Sequence, residues 1–273
     1  MPDARYDIDD LLRVMQRLRD PVNGCPWDLE QDFHSIVPST LEECYELAQA
    51  IEDGEFDHVA EELGDVLFQV VFYAQMGRER GLFSFEQVVD TLVDKLLRRH
   101  PHVFADGGIE DVPIGSTSIE EVGQSWELIK QAEREVKDRG GVLDDVPHAL
   151  PALPRAQKLQ KRAARVGFDW AEAEDVLCAL EAEVGELREA MRKRSRDNVA
   201  EEMGDILFSC VNLARHMGLD AESTLRRSSA KFERRFRLME GYAQEHGQHL
   251  SQLSPAQLEV LWCRAKEALA RGL

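Results

Sequence analysis

A long internal repeat constrains this chain more than any other feature. Glu62-Leu63-Gly64-Asp65-Val66-Leu67-Phe68 returns as Glu202-Met203-Gly204-Asp205-Ile206-Leu207-Phe208, and 202 − 62 = 140. Glu43-x-x-Glu46 returns as Glu183-x-x-Glu186 at the same offset, and Val71 and Ala74 return as Val211 and Ala214. Beyond a deletion of four residues the offset is 136: Lys95-x-x-Arg98-Arg99 matches Lys231-x-x-Arg234-Arg235, and Trp126-x-x-x-Lys130 matches Trp262-x-x-x-Lys266. A period this long marks a duplicated domain, because solenoid units repeat every ~20–50 residues. The 273 residues have room for two domains of ordinary size, each with its own core.

The hydrophobic pattern is helical almost throughout. Phe85, Val88, Val89, Leu92, Val93, Leu96 and Leu97 follow a three-four spacing that lays one apolar stripe along a helix. Ser84-x-x-Gln87 reads as its capping box, and Pro101 lies just beyond its end. Ser39-x-x-Glu42 is expected to open another helix, closed by Asp53-Gly54; Ser118-x-x-Glu121 and Ser254-Pro255-x-Gln257 open two more. No run alternates apolar and polar residues between turn signals, so no strands are expected. The fold class is therefore all-α, as tandem duplicated helical-bundle domains. Residues 104–117 and 140–154 read as loops rich in glycine and proline. The second marks the boundary: a first domain over 1–139, a linker over 140–154 and a second domain over 155–273.

The hydrophobic content of 43% suits a globular chain, and the net charge of −19 argues against duplex nucleic acid as a partner, since the phosphates would be repelled. Local bases or a metal ion could still hold a phosphate ligand. Cys25, Cys44, Cys178, Cys210 and Cys263 are scattered and odd in number, which points away from a zinc site or a disulfide framework. The first residues carry no apolar leader segment, and the most apolar stretch, 66–74, is broken by Gln69 and too short for a bilayer. A cytoplasmic protein with no membrane partner is the expectation.

The chemistry-bearing residues lie inside the repeat. Glu43 and Glu46 share a helix face, as do Glu62 and Asp65 on the next helix. Antiparallel packing would gather these carboxylates, and like charges at close range need something to cancel them. A divalent cation is the simplest agent, and all-oxygen ligation favours Mg²⁺, Mn²⁺ or Ca²⁺ over zinc or iron. Acid pairs of this kind are common on solvated helix faces. Two features tell against that plainer reading. The helix continues through Val66, Leu67, Phe68, Val70, Val71 and Phe72, apolar nearly all round and so expected to be buried. The interval of 16 residues from Glu46 to Glu62 is also kept from Glu186 to Glu202. Bases and an aromatic accompany the acids: Lys95, Arg98, Arg99, Trp126 and Lys130 in the first copy, and Lys231, Arg234, Arg235, Trp262 and Lys266 in the second. Cations late in a helix can simply answer its dipole, and a tryptophan is commonly just core. Acids for a metal, bases for phosphate and an aromatic face for a base nevertheless describe a site for a nucleoside triphosphate.

These residues resemble the MazG family of nucleoside triphosphate pyrophosphohydrolases in its two-domain form. The motif Glu-Glu-x-x-Glu followed by Glu-x-x-Asp stands here as Glu42-Glu43-x-x-Glu46 and Glu62-x-x-Asp65. The stretches 18–28 (Leu18 to Trp27-Asp28), 98–106 (Arg98 to Asp106) and 166–170 (Val166-Gly167-Phe168-Asp169-Trp170) are similar too. The resemblance implies an all-α NTP pyrophosphatase fold, Mg²⁺ dependence with Mn²⁺ as a substitute, hydrolysis of NTPs and dNTPs to the monophosphate and pyrophosphate, and a homodimer. By position it makes Glu43, Glu46, Glu62, Asp65, Glu183, Glu186, Glu202 and Asp205 metal ligands, and places Lys231, Arg235, Trp262 and Lys266 at nucleotide contacts. Lys95, Arg99, Trp126 and Lys130 are their first-copy counterparts. Glu42 is the candidate to position or deprotonate the attacking water. The second copy departs from the motif, with Ala182 where the first has Glu42, and with Ala179 and Asn198 at positions expected to be basic.

Two rival classes compete with this reading. A di-iron carboxylate bundle needs paired Glu-x-x-His motifs, and the chain has only Glu55-x-x-His58, without a repeat counterpart. A helical nucleotide-binding module with one or both sites catalytically weak is the other alternative, made credible for one half by Ala182.

Overall fold

The computed structural model describes residues 5–105, 107–110, 118–136, 141–144 and 146–271. It divides into two compact units, Met1–Glu133 and Arg134–Leu273, and its regular structure among the described residues is helical.

The first unit holds α1 (Ile8–Leu18), α2 (Pro26–Glu30), α3 (Val37–Asp53), α4 (Phe56–Glu79), α5 (Phe85–Arg99) and most of α6 (Ile119–Val136). The capping box at Ser84 forms as expected, with Ser84 Oγ accepting from Gln87 N–H and Gln87 Oε1 accepting from Ser84 N–H. Ser118 and Glu121 make the same exchange at α6. Ser39 does not open α3. That helix starts at Val37, with Pro38 in its first turn, where the fixed proline φ suits the helix and no N–H is needed. The core gathers Met15, Ile36, Val71, Phe72 and Met76, with Leu11, Leu12, Phe33, Phe68, Tyr73 and Phe85 packed against it. Burial of α4 is one-sided, contrary to the expectation from its composition. Val71 and Phe72 are fully enclosed, whereas Leu63, Leu67 and Val70 are exposed.

The second unit holds α7 (Ala152–Arg165), α8 (Ala173–Lys193), α9 (Arg196–His216), α10 (Ala221–Glu245), a 3₁₀ turn (Leu250–Gln252) and α11 (Pro255–Ala270), the last opened by the expected Ser254–Gln257 box. The loop expected over 140–154 ends sooner, because Ala152, Leu153 and Pro154 form the first turn of α7. A proline is tolerated there since first-turn N–H groups have no intrahelical acceptor. Val146, Val176, Val211, Met239 and Ala265 are among the buried residues. On α9, Met203 and Leu207 are exposed, repeating the pattern of Leu63 and Leu67.

In each unit a two-residue joint folds one long helix back along its predecessor, α4 on α3 and α9 on α8. Gly54 ends α3 with φ 74°, and its repeat counterpart Arg194 ends α8 with φ 55°. Glycine enters this left-handed region freely, whereas a side chain is strained there by about 1–2 kcal/mol. Arg194→Gly is therefore expected to stabilise the chain by about 1 kcal/mol, read as a higher urea midpoint at unchanged slope.

Candidate metal and nucleotide site

The folded-back helix pairs gather the acids. Carboxylate oxygens of Glu43, Glu46 and Glu62 all lie within 4.8 Å of one another, and so do those of Glu183, Glu186 and Glu202. The i, i+3 spacing sets two acids on one face of α3 or α8, and the facing helix supplies the third. Asp65 and Asp205 stand outside these groups but close by. Burial, followed by the charges of Asp65, Glu46, Glu62 and Glu42, raises the Glu43 carboxyl above its ordinary range. Burial, followed by Glu186 and Asp205, raises Glu183, and burial followed by Glu186, Glu183 and Asp205 raises Glu202. Among the described residues, none of these acids forms an ion pair or a hydrogen bond with a base. A donor set made only of carboxylate oxygens, this close and uncompensated, fits a hard divalent cation such as Mg²⁺ or Mn²⁺. Glu42 is exposed on α3, and Ala182 is exposed at the same place on α8. His58 pairs with Glu55 at 2.7 Å on the exposed start of α4, so the lone Glu-x-x-His is a surface pair.

The bases fall in a different pattern. Lys95 is half-buried on α5, beside Phe83, Thr91 and Leu92. Arg98 and Arg99 both hold Glu133, with Arg99 Nη2 donating at 2.5 Å, and these bonds pull the Glu133 carboxyl down to about 2. Trp126 is half-buried and meets the His100 ring edge-on at 5.0 Å. The Lys130 side chain lies outside the described residues. In the second unit the Arg235 guanidinium lies over the Trp262 ring at 5.5 Å, and Phe232 packs on the same ring at 5.5 Å. Lys231 and Lys266 are exposed. The structure thus joins Arg235 to Trp262 and joins acids to acids. No described hydrogen bond or ion pair links the bases to the acid clusters.

One constellation escaped the sequence reading. Asp169, between Phe168 and Trp170, accepts from Arg215 Nη1 at 3.0 Å and lies 2.9 Å from His216 Nε2. The Arg215 bonds, reinforced by His216, hold its carboxyl at about 2. Its folded pKa is depressed, so its contribution to stability is present above the ordinary aspartate value and is lost as pH falls through about 2. This pairing ties the loop between α7 and α8 to α9. No local signal connects residues 46 positions apart.

Fold and site together define an all-helical protein with, among the described residues, a carboxylate cluster in each repeat. The family model described as the MazG nucleotide pyrophosphohydrolase domain matches residues 31–104 and 172–237. A nucleoside triphosphate pyrophosphohydrolase of Escherichia coli K12 is 49% identical over 95% of this chain and 97% of its own length. A "nucleoside triphosphate pyrophosphohydrolase/pyrophosphatase MazG" of Thermotoga maritima is 42% identical over 97% of this chain and 98% of its own. A Bacillus subtilis protein, YabN, is 41% identical over 98% of this chain, which spans 53% of it. The chain belongs to the MazG family of nucleotide pyrophosphohydrolases.

Proposed function

We propose that this protein hydrolyses nucleoside triphosphates, ribo- and deoxyribo-, to the monophosphate and pyrophosphate, using Mg²⁺ for which Mn²⁺ can substitute. The observation that carries the reading is the recurrence, in each repeat, of three carboxylates within 4.8 Å with no basic partner among the described residues. Glu43, Glu46, Glu62 and Asp65 would hold the metal in the first unit, and Glu183, Glu186, Glu202 and Asp205 in the second, where a divalent ion would offset triphosphate charge and acidify a water. Glu42 orients the attacking water and accepts its proton as the water's oxygen bonds to the α-phosphorus and the bond to the pyrophosphate oxygen breaks. Lys95, Arg99 and Lys130 in the first unit, and Lys231, Arg235 and Lys266 in the second, meet the charge of the departing pyrophosphate. Trp126 and Trp262 supply the aromatic nucleotide contacts, and the Arg235 guanidinium lies over the Trp262 ring at 5.5 Å.

We further propose a homodimer, and domain limits of 1–139 and 155–273 joined through 140–154, the last three residues of that segment being the first turn of α7. The apolar faces of α4 (Leu63, Leu67, Val70) and α9 (Met203, Leu207) support the dimer, because a self-complementary contact would cover them. No helix among the described residues is long and apolar enough to cross a membrane.

Chromatography of the products from NTP incubated with the full chain and Mg²⁺ tests the reaction. Monophosphate and pyrophosphate are expected in equal amounts. Diphosphate and inorganic phosphate as the first products would sink it.

A further inference from the structure

In the first unit a polar layer lies one turn behind the acids. Thr40 precedes Glu43 by three residues on α3, and Gln69 follows Asp65 by four on α4, so each shares a helix face with its acid. The Thr40 hydroxyl lies 3.1 Å from the Ile36 carbonyl, 3.4 Å from Gln69 Oε1 and 3.0 Å from the Tyr73 hydroxyl. A hydroxyl has one proton to give, and the carbonyl and the amide oxygen can only accept. Thr40 therefore donates to one of these two, and Tyr73 is the donor to Thr40. Gln69 is 6% exposed, and the Tyr73 ring stacks on Phe33 at 5.9 Å, so the layer is anchored in the core. The repeat counterparts at offset 140 are Leu180, Ser209 and Leu213. The two leucines carry no polar side-chain atom, so the second unit cannot build this layer. There α9 is tied to α7 instead: Gln160, 7% exposed, donates from Nε2 to the Phe208 carbonyl at 2.9 Å, and its buried Oε1 has no hydrogen-bond partner.

Carboxylates gathered at close range repel one another, and that repulsion pushes α3 away from α4. Apolar contacts between helices resist separation better than sliding, because burial is non-directional. A hydrogen bond is directional and is lost beyond about 3.5 Å. A slip of one residue moves one helix about 1.5 Å along the other. That is enough to break the Thr40–Tyr73 bond and to respace the acids. We propose that Thr40 and Tyr73, with Gln69, are positioning residues of the first acid cluster. Their bonds fix the register of α3 against α4 and so hold Glu43 and Glu46 within reach of the same cation as Glu62. The assignment rests on the metal reading proposed above. It gives the first cluster a preset geometry that the second reaches through other contacts.

Mn²⁺ titration of the full chain carrying Glu202→Gln, which leaves the first-unit site as the stronger class, tests this. Tyr73→Phe and Thr40→Val in that background should each weaken Mn²⁺ binding about tenfold. Together they should weaken it little more than either alone, because both remove the same bond. Thr40→Ser, which keeps the hydroxyl, should bind as its parent does. In a chain carrying Glu62→Gln instead, the same substitutions should leave Mn²⁺ binding at the second-unit site unchanged, a result that general loosening of the fold would not give. Unchanged first-unit affinity in the folded variants, or an equal loss at both sites, would overturn the proposal. Should one variant fail to fold, the other decides; Tyr73→Phe keeps the ring that stacks on Phe33. Mn²⁺ binding that neither Glu62→Gln nor Glu202→Gln weakens would defeat the metal reading and the proposal with it. Binding that follows the acids but ignores Thr40 and Tyr73 would defeat the proposal alone.

Discussion

Glu62→Gln combined with Glu202→Gln is expected to lower NTP hydrolysis about a thousandfold or more, to background. Glutamine keeps the shape of each side chain and removes one ligand charge per cluster, so the loss reports on charge. The single changes should fall by unequal amounts. Both clusters keep their oxygens within 4.8 Å of one another, and the repeats differ in what surrounds them. Ala182 stands where the first copy has Glu42, and Arg99 is occupied by Glu133 whereas Arg235 rests on Trp262. Initial rates of the two single variants and the double variant check this. Equal losses from the singles would contradict unequal use, and full activity in the double variant would remove the acids from catalysis.

Mg²⁺ should raise the melting temperature by an amount that grows with its concentration. The raised carboxyls of Glu43, Glu183 and Glu202 show why. A group whose folded pKa lies above its unfolded value stabilises the fold while protonated and loses that contribution as pH rises through the folded value. At neutral pH the metal-free clusters therefore oppose folding. A cation that binds only the folded state stabilises it by about 2.7 kcal/mol at a hundredfold excess over Kd. EDTA should lower the melting temperature without unfolding the chain, because cores such as Met15, Val71, Phe72 and Met76 do not depend on metal. The shift should be smaller at pH 5 than at pH 8, since protons compete for the same oxygens. NaCl at matched ionic strength controls for general screening in a chain of charge −19. An equal shift with NaCl would reduce the clusters to solvated faces.

Much of this architecture is written in local signals. The boxes at Ser84, Ser118 and Ser254 and the stop at Gly54 announce helix ends through side chains that serve their own backbone neighbours. The repeat shows that Glu43, Glu46 and Glu62 have a second edition in Glu183, Glu186 and Glu202, and three-residue spacing puts acids on shared faces. Where local rules compete, the sequence misleads. Ser39 looks like a cap, but Pro38 suits a first turn and α3 begins before both. Pro154 looks like a breaker, yet it sits in the first turn of α7. The apolar run 66–72 suggests burial all round, but only the face with Val71 and Phe72 meets the core. The Asp169–Arg215 clamp and the orphaned Gln160 Oε1 depend on which helices pack together, and no short-range pattern encodes that.

Titration with Mn²⁺, followed by the EPR signal of the free ion, is the most direct test that the clustered carboxylates are metal sites. The parent chain is expected to remove Mn²⁺ from solution at sites from which Mg²⁺ displaces it. Glu62→Gln and Glu202→Gln should each weaken one class of site, and the double variant should weaken both. Undiminished Mn²⁺ binding in a folded double variant would contradict the account.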